Sequence, residues 1–264
     1  MQNLARLEPL WPRRTPALLP RLGCAGSCRS AMEVGGDFYE VVALSETSLL
    51  VAIADVMGKG VSAALFADSL RTYLRALAQP GSNPAELLFE ANCLMFEELS
   101  QAGLFITVQL VVVDPFRGRL EIASAGHCPL LLCSPQGQVR ALSANGMPLG
   151  IEPDASFQCQ SCRWPSPGAV LLYTDGITEA RDGHGRFFGQ RRLENWLSRG
   201  VAQAQSAAQL KSSLLNEVSS FQGCAQPLDD QTFVLLCDET PRPPGPDLMS
   251  DRSAFAPEPD LSLA

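Results

Sequence analysis

The 264-residue chain is 46% hydrophobic, carries 28 acidic against 20 basic residues, and has a formal net charge of −8 at pH 7. This is enough apolar material for one full core, and an acidic balance without a basic stripe argues against a nucleic-acid partner. No apolar run reaches membrane-spanning length, since the longest, Leu104 to Val113, is about half of what a bilayer requires.

Residues 1–20 are rich in proline and leucine and read as an extended lead-in, with Arg6, Arg13 and Arg14 breaking any secretory-signal pattern. One domain over 21–238 is expected to follow. Gly35-Gly36-Asp37-Phe38-Tyr39 opens an apolar run that reaches Leu44, and the run from Leu49 ends on Asp55. Both read as strands, and Ser45 to Ser48 between them is short enough for a hairpin. A hairpin sets the start of one strand beside the end of the next, so Asp37 and Asp55 are predicted to share a rim. After the turn Gly58-Lys59-Gly60, a helix is expected from Val61, with Phe66, Leu70, Tyr73, Leu74 and Leu77 as its apolar stripe. A second helix starts at the cap Asn83, with Pro84 in its first turn and Glu86 in a capping-box-like place, and is expected to bury Leu87, Ala91, Leu94 and Met95. His127 lies in a turn between the apolar runs at 119–125 and 129–133, where a structural hydrogen bond is its expected role. Ala169 to Thr174 reads as a strand running into Asp175-Gly176, and His184 falls in an exposed loop. A third amphipathic segment, with Leu210, Leu214, Val218 and Phe221, precedes Asp229-Asp230 and the strand from Gln231 to Leu236. The stretch 239–264, rich in proline, small and charged residues, is expected to be a disordered tail.

Asp37, Asp55, Asp175 and Asp229 thus sit at the ends of apolar runs beside glycine or polar turns. If the strands after 169 and 231 pair antiparallel, a second end-plus-start carboxylate pair results, and two stacked sheets bring both pairs together. Taken singly, each aspartate is an ordinary turn former. Taken together on a buried rim, such carboxylates repel one another and resist desolvation, so a cation is needed. Oxygen ligands alone favour magnesium or manganese over zinc.

Glu33 to Tyr39, Ala54 to Gly60 followed by Ser62-Ala63-Ala64, Ser124 to Pro129, Tyr173 to Ala180 and Asp229 to Thr232 resemble, in order, the motifs of the metal-dependent (PPM) protein phosphatases, most closely the bacterial SpoIIE-like branch. The resemblance implies an αββα sandwich of two antiparallel sheets flanked by helices, which patterning alone leaves as a mixed α+β fold. It also implies two divalent cations, Mn2+ or Mg2+, held by Asp37, Asp55, Asp175 and Asp229 and by the backbone carbonyl of Val56. Asp230 is a second-choice ligand and otherwise a support for Asp229. A water between the cations would attack phosphoserine or phosphothreonine. Eukaryotic relatives carry a histidine where Met57 stands and a phosphate-gripping arginine where Met32 stands. Lys59 and Arg29 are the nearby cations, and Lys59 is a tentative catalytic residue. Glu179 either orients a metal-bound water or caps its loop.

The expected activity is therefore protein serine/threonine phosphatase, with an anti-sigma-factor antagonist or similar signalling protein as substrate. The alternative is a pseudophosphatase acting as a binding or scaffold module. An upstream regulator is expected, and the resemblance points to the helices at 61–99 as a switch and homodimer surface. Gly58-Lys59-Gly60-Val61-Ser62 is not a phosphate-binding P-loop, because no Ser or Thr follows the lysine directly. The nine cysteines suit reduced thiols in a cytoplasmic protein, with Cys93, Cys133 and Cys237 expected in the core. Cys24/Cys28 and Cys159/Cys162 are poorly spaced for zinc.

Overall fold

The computed structural model describes residues 22–239. The expected lead-in at 1–20 and, save for Glu239, the expected tail lie outside the described residues. In chain order the strands and helices begin with β1 (Leu22–Arg29), β2 (Phe38–Ala43), β3 (Leu49–Val56), α1 (Val61–Leu77) and α2 (Pro84–Ala102). There follow β4 (Ile106–Asp114), β5 (Arg119–Ala125), β6 (Leu130–Cys133), β7 (Val139–Leu142), β8 (Gln160–Arg163) and β9 (Ala169–Tyr173). The described chain closes with α3 (Asp175–Thr178), α4 (Gln190–Ala202), α5 (Ala207–Gln222) and β10 (Gln231–Asp238).

Two five-stranded antiparallel sheets result, ordered β1-β10-β9-β6-β7 and β2-β3-β4-β5-β8. Alternation along the strands explains why both can be buried on two faces. On β3, Leu49, Val51 and Ile53 face the other sheet and join Val170, Leu172, Val234 and Leu236 there. Leu50, Ala52, Ala54 and Val56 face outward, into the layer made by α1 and α2. On the opposite side, Leu171, Tyr173, Phe233 and Leu235 pack under α4 and α5. Such two-sided burial requires near-continuous apolar strands, as β3 and β9 have. The layers run α, β, β, α, the expected sandwich.

The predicted hairpin is present, with Phe38 opposite Ala54 and Ala43 opposite Leu49. The late strands also pair as expected, Phe233 lying opposite Tyr173. Asn83 caps α2 by accepting a hydrogen bond from Ala85 N at 2.8 Å, with Pro84 at the helix start. Helix faces show two departures. On α2 the buried residues are Pro84, Leu87, Leu88, Ala91, Asn92, Met95 and Leu99, while Leu94 is exposed. Asn92 replaces it, because its amide holds the Glu152 and Pro153 carbonyls and the Gly150 amide. Two helices, α4 and α5, precede β10 where one was expected; α4 buries Leu193, Trp196, Leu197 and Val201 against β6 and β7. Among the cysteines, Cys133 and Cys237 are buried, but Cys93 lies exposed on the outer side of α2. All nine thiols are free.

Candidate metal centre

The two sheets meet at one rim, where β3 carries Asp55 one residue before its end, β2 is preceded by Asp37, β9 leads to Asp175 at the start of α3, and Asp229 lies two residues before β10. Asp37 and Asp55 belong to one sheet and Asp175 and Asp229 to the other, so the rim collects carboxylates from both halves of the sandwich. Asp37 is buried and Asp55 half-buried. Thr174 ties the halves together: its hydroxyl donates to Asp37 Oδ2 at 2.8 Å and accepts from Thr232 N at 3.2 Å.

Burial and mutual repulsion dominate the electrostatics. The Asp37 carboxyl is held well above the ordinary carboxylate range, first by burial and then by the charge of Asp55. Burial pushes Asp55 up to about 7, with Asp175, Asp229 and Asp230 adding to the rise. Asp175 is raised by burial, then by Glu179 and Asp229, and Lys59 opposes it. These carboxylates therefore lie within electrostatic reach of one another and cannot all ionise cheaply without positive charge between them. Among the described residues no three His, Cys, Asp or Glu side chains are already drawn around one point. Asp229 pairs instead with Lys59 at 2.8 Å, and Lys59 also reaches the Leu228 carbonyl.

The backbone fits a cation as well as the side chains do. A Cβ on Gly36 would come within 2.9 Å of the Val56 carbonyl oxygen, so glycine keeps that oxygen clear of a side chain. The donor set is carboxylate and carbonyl oxygen throughout, which suits magnesium or manganese.

Asp230 is placed differently. Its Oδ1 accepts from Ala31 N at 2.8 Å and its Oδ2 from Asp37 N at 3.3 Å. It braces the loop that presents Asp37, and Gly35 leaves room for it, since a Cβ there would collide with the carboxylate. Glu179 is exposed just after α3, its amide bonded to the Asp175 carbonyl at 2.7 Å. Met57 and Met32 are exposed near the centre, and Arg29 is exposed at the end of β1.

Thr174 and Cys128 escape a reading of sequence alone, whereas His127 takes the structural hydrogen-bond role expected of it. Thr174 stands directly before Asp175, but only the packed sheets show that it serves Asp37. His127 Nδ1 pairs with the Thr107 hydroxyl at 2.8 Å, and Thr107 lies opposite Asp55 across the β3–β4 ladder. Its ring also lies beside the Tyr173 carbonyl, so it spans from one sheet to the other, and burial pushes its pKa down to about 4. Cys128 faces the centre as a neutral thiol, pushed up to about 12 by burial, then by Asp175 and Asp55. Cys24 and Cys28 lie on an edge strand of one sheet and Cys162 on an edge strand of the other, so the four thiols form no cluster.

The chain matches the family described as Stage II sporulation protein E (SpoIIE) over residues 45–237. It is 28% identical to Protein IcfG of Synechocystis sp. over 78% of this chain and 36% of that protein. Phosphoserine phosphatase RsbP of Bacillus subtilis is 30% identical over 57% of this chain and 38% of its own length. For phosphoserine phosphatase RsbU of the same organism the values are 28%, 78% and 60%. The chain thus spans between about a third and three fifths of these curated relatives. Among solved structures, the SiaA-PP2C domain of Pseudomonas aeruginosa superposes with a TM-score of 0.73 at 25% identity, covering 81% of this chain and 85% of that one. The PP2C phosphatase domain of SpoIIE from Bacillus subtilis shares the fold at a TM-score of 0.69 and 20% identity, over 82% of this chain and 63% of that one.

Proposed function

This chain belongs to the SpoIIE family, and on that premise we propose that it is a metal-dependent phosphatase of phosphoserine and phosphothreonine in a signalling protein. The observation that carries the reading is the shared rim, where aspartates from both sheets raise one another's pKa values beside a backbone carbonyl that Gly36 keeps clear of a side chain. Asp37, Asp55, Asp175 and Asp229, with the carbonyl of Val56, would hold two divalent cations, Mn2+ or Mg2+. A similarly folded protein, RsbX, was crystallised in complex with magnesium. When bound, the cations supply an activated water and neutralise phosphate charge.

The protein's own groups do the rest. Asp230 keeps the Asp37 loop in place through two backbone amides, and Thr174 fixes the orientation of the Asp37 carboxylate. Lys59 lies beside Asp229 with its ammonium at the rim, where it would contact a phosphate oxygen. Met57 cannot donate a proton, so the leaving serine oxygen would be protonated by solvent.

The named relatives RsbP and RsbU are phosphoserine phosphatases, which supports a phosphorylated signalling protein, such as an anti-sigma-factor antagonist, as substrate. We assign regulation and any homodimer to the α1–α2 face, because α1 starts six residues after Asp55. Among the described residues no helix is long and apolar enough to cross a membrane; we place the protein in the cytoplasm. The scaffold alternative draws on Met57 and Met32. The full chain should hydrolyse para-nitrophenyl phosphate and a phosphoserine peptide with Mn2+ and lose both activities with chelator. Turnover that survives chelation or Asp55→Asn would refute the metal mechanism, and absence of turnover under all conditions would leave the scaffold.

A further inference from the structure

The carboxylates sit in an unusually apolar surround. The loop before Asp37 exposes Met32 (58%) and Val34, the turn before Asp229 exposes Leu228 (66%), and the start of α1 exposes Val61 (69%) and Leu65 (64%), with Met57 beside them. These three segments are held against one another. Ala31 N donates to Asp230, Lys59 Nζ donates to the Leu228 carbonyl, and Gly36 lies against Val56 O and the Ala63 side chain. Single exposed apolar side chains are normal anywhere on a protein, but a group concentrated around one site marks a surface that is covered in use.

Helix α1 shows where that surface stops. Its outward positions run Val61, Leu65, Asp68, Thr72, all exposed, so the outer stripe is apolar only in the part nearest the carboxylates. A stripe serving a second helix along its length would stay apolar to the end. Phe89 and Leu94 are exposed as well, on α2 and outside these three segments, but the apolar side chains that border the carboxylates are the ones placed to meet a protein that presents a phosphate to the centre. The charged side chains around the rim are of both signs, Glu33, Glu179 and Asp229 against Arg29 and Lys59, so neither a strongly acidic nor a strongly basic flank is favoured.

We propose that this rim docks the substrate protein and selects phosphoserine or phosphothreonine flanked by apolar side chains. The inference rests on the phosphatase reading above and adds its substrate class. Flanking side chains settle on Met32, Val34, Val61, Leu65 and Leu228 while the phosphate reaches the carboxylate centre, so a small phosphorylated metabolite forfeits the rim and gains nothing from it.

The test uses the full chain with Mn2+ and two phosphoserine peptides of equal length and charge, one with leucine and one with serine at the two positions on each side. The expected kcat/KM favours the leucine peptide by about 10-fold or more. Met32→Ser, Val34→Ser and Leu228→Ser together, all off the α1–α2 face, should erase that preference while para-nitrophenyl phosphate turnover stays as in the parent. Equal rates on both peptides, or a preference that survives the triple substitution, would overturn the proposal. If para-nitrophenyl phosphate is itself untouched, the phosphatase reading has failed, and fluorescence anisotropy of the labelled peptides decides docking alone: equal affinities overturn it. A parent that sediments as a dimer and a triple variant that sediments as a monomer would reassign the rim to a second copy of the chain.

Discussion

At the scale of single residues, the side chains around the ligands matter as much as the ligands. Thr174 donates to Asp37 across the junction of the two sheets. Losing such an outer hydrogen bond typically costs about 10–100-fold in metal affinity or activity. Thr174→Val should weaken Mn2+ binding by that order, measured by calorimetric titration, whereas Thr174→Ser, which keeps the hydroxyl, should restore most of it. Equal affinities in the valine and serine variants would remove Thr174 from the site. The raised carboxyls make a second prediction. In chelated protein Asp55 keeps its proton up to about 7, and Asp37 is also raised, whereas the unfolded chain has released both protons well below that. The unfolded state binds fewer protons in this window, so stability must fall as pH rises from about 4 to about 7. His127 acts in the opposite sense, because it stays neutral down to about 4 while an unfolded imidazole charges below about 6.5. The two oppose each other on the acid side, and the carboxyls outweigh His127 between about 6.5 and 7, where the unfolded imidazole is losing its proton. The melting temperature of chelated protein should fall across that neutral interval, and Asp55→Asn should flatten the fall. A rise with pH in chelated protein would contradict the assigned carboxyl shifts.

At the scale of elements, α1 is fixed at both ends to the strands that frame the site. It begins after the loop carrying Asp55, and near its end Arg75 reaches Glu40 on β2 with contacts of 2.9 and 3.0 Å. Glu40 is 2% exposed and lies three residues beyond Asp37, while Arg75 is half exposed. This asymmetry sets the direction of a mutational test. Arg75→Met leaves a buried carboxylate without its cation, whereas Glu40→Gln frees a cation that already reaches water. Arg75→Met should therefore cost more by urea denaturation than Glu40→Gln, yet less than the about 3–5 kcal/mol of a fully buried pair. Equal costs would show that the pair behaves as a surface contact. The elements themselves differ in how openly the sequence displays them. The Asp37–Asp55 hairpin is legible because strand alternation and a four-residue turn are local signals. The inner face of α2 is less so: Leu94 and Asn92 compete for one side, and the winner depends on loop carbonyls some sixty residues away that only folding supplies. Helix α4 follows a loop shaped by Asp182, which accepts from the amides of His184 and Arg186. The spacing of Leu193, Trp196, Leu197 and Val201 was a usable helical signal there, next to a stretch otherwise read as exposed loop.

At the scale of the whole molecule, the candidate centre lies where the two sheets converge at one end of the sandwich. The ends of strands are readable in sequence, so the four aspartates stand out as candidates, but their meeting depends on how one sheet stacks on the other. Thr174, His127 and Asp230 owe their roles to that stacking, which no local pattern encodes. On the proposed ligand set the metals would clamp the halves together, with Asp37 and Asp55 drawn from one sheet and Asp175 and Asp229 from the other. A ligand that binds only the folded state adds about 2.7 kcal/mol when present at 100 times its Kd. For a domain of this size about 1 kcal/mol corresponds to roughly 2–4 °C, so saturating Mn2+ should raise Tm by roughly 5–10 °C over chelated protein. The location of the gain separates a clamp from a ligand bound to one sheet. Hydrogen exchange should slow on both sides of the junction, at Asp55–Met57 and at Thr174–Ile177 together, because the ions would cross-link those segments. Protection confined to the Asp37–Asp55 hairpin would mean that the cations are held by one sheet, and Asp175→Asn would then leave the Tm gain intact. With ligands drawn from both sheets, Asp55→Asn and Asp175→Asn should each remove most of it.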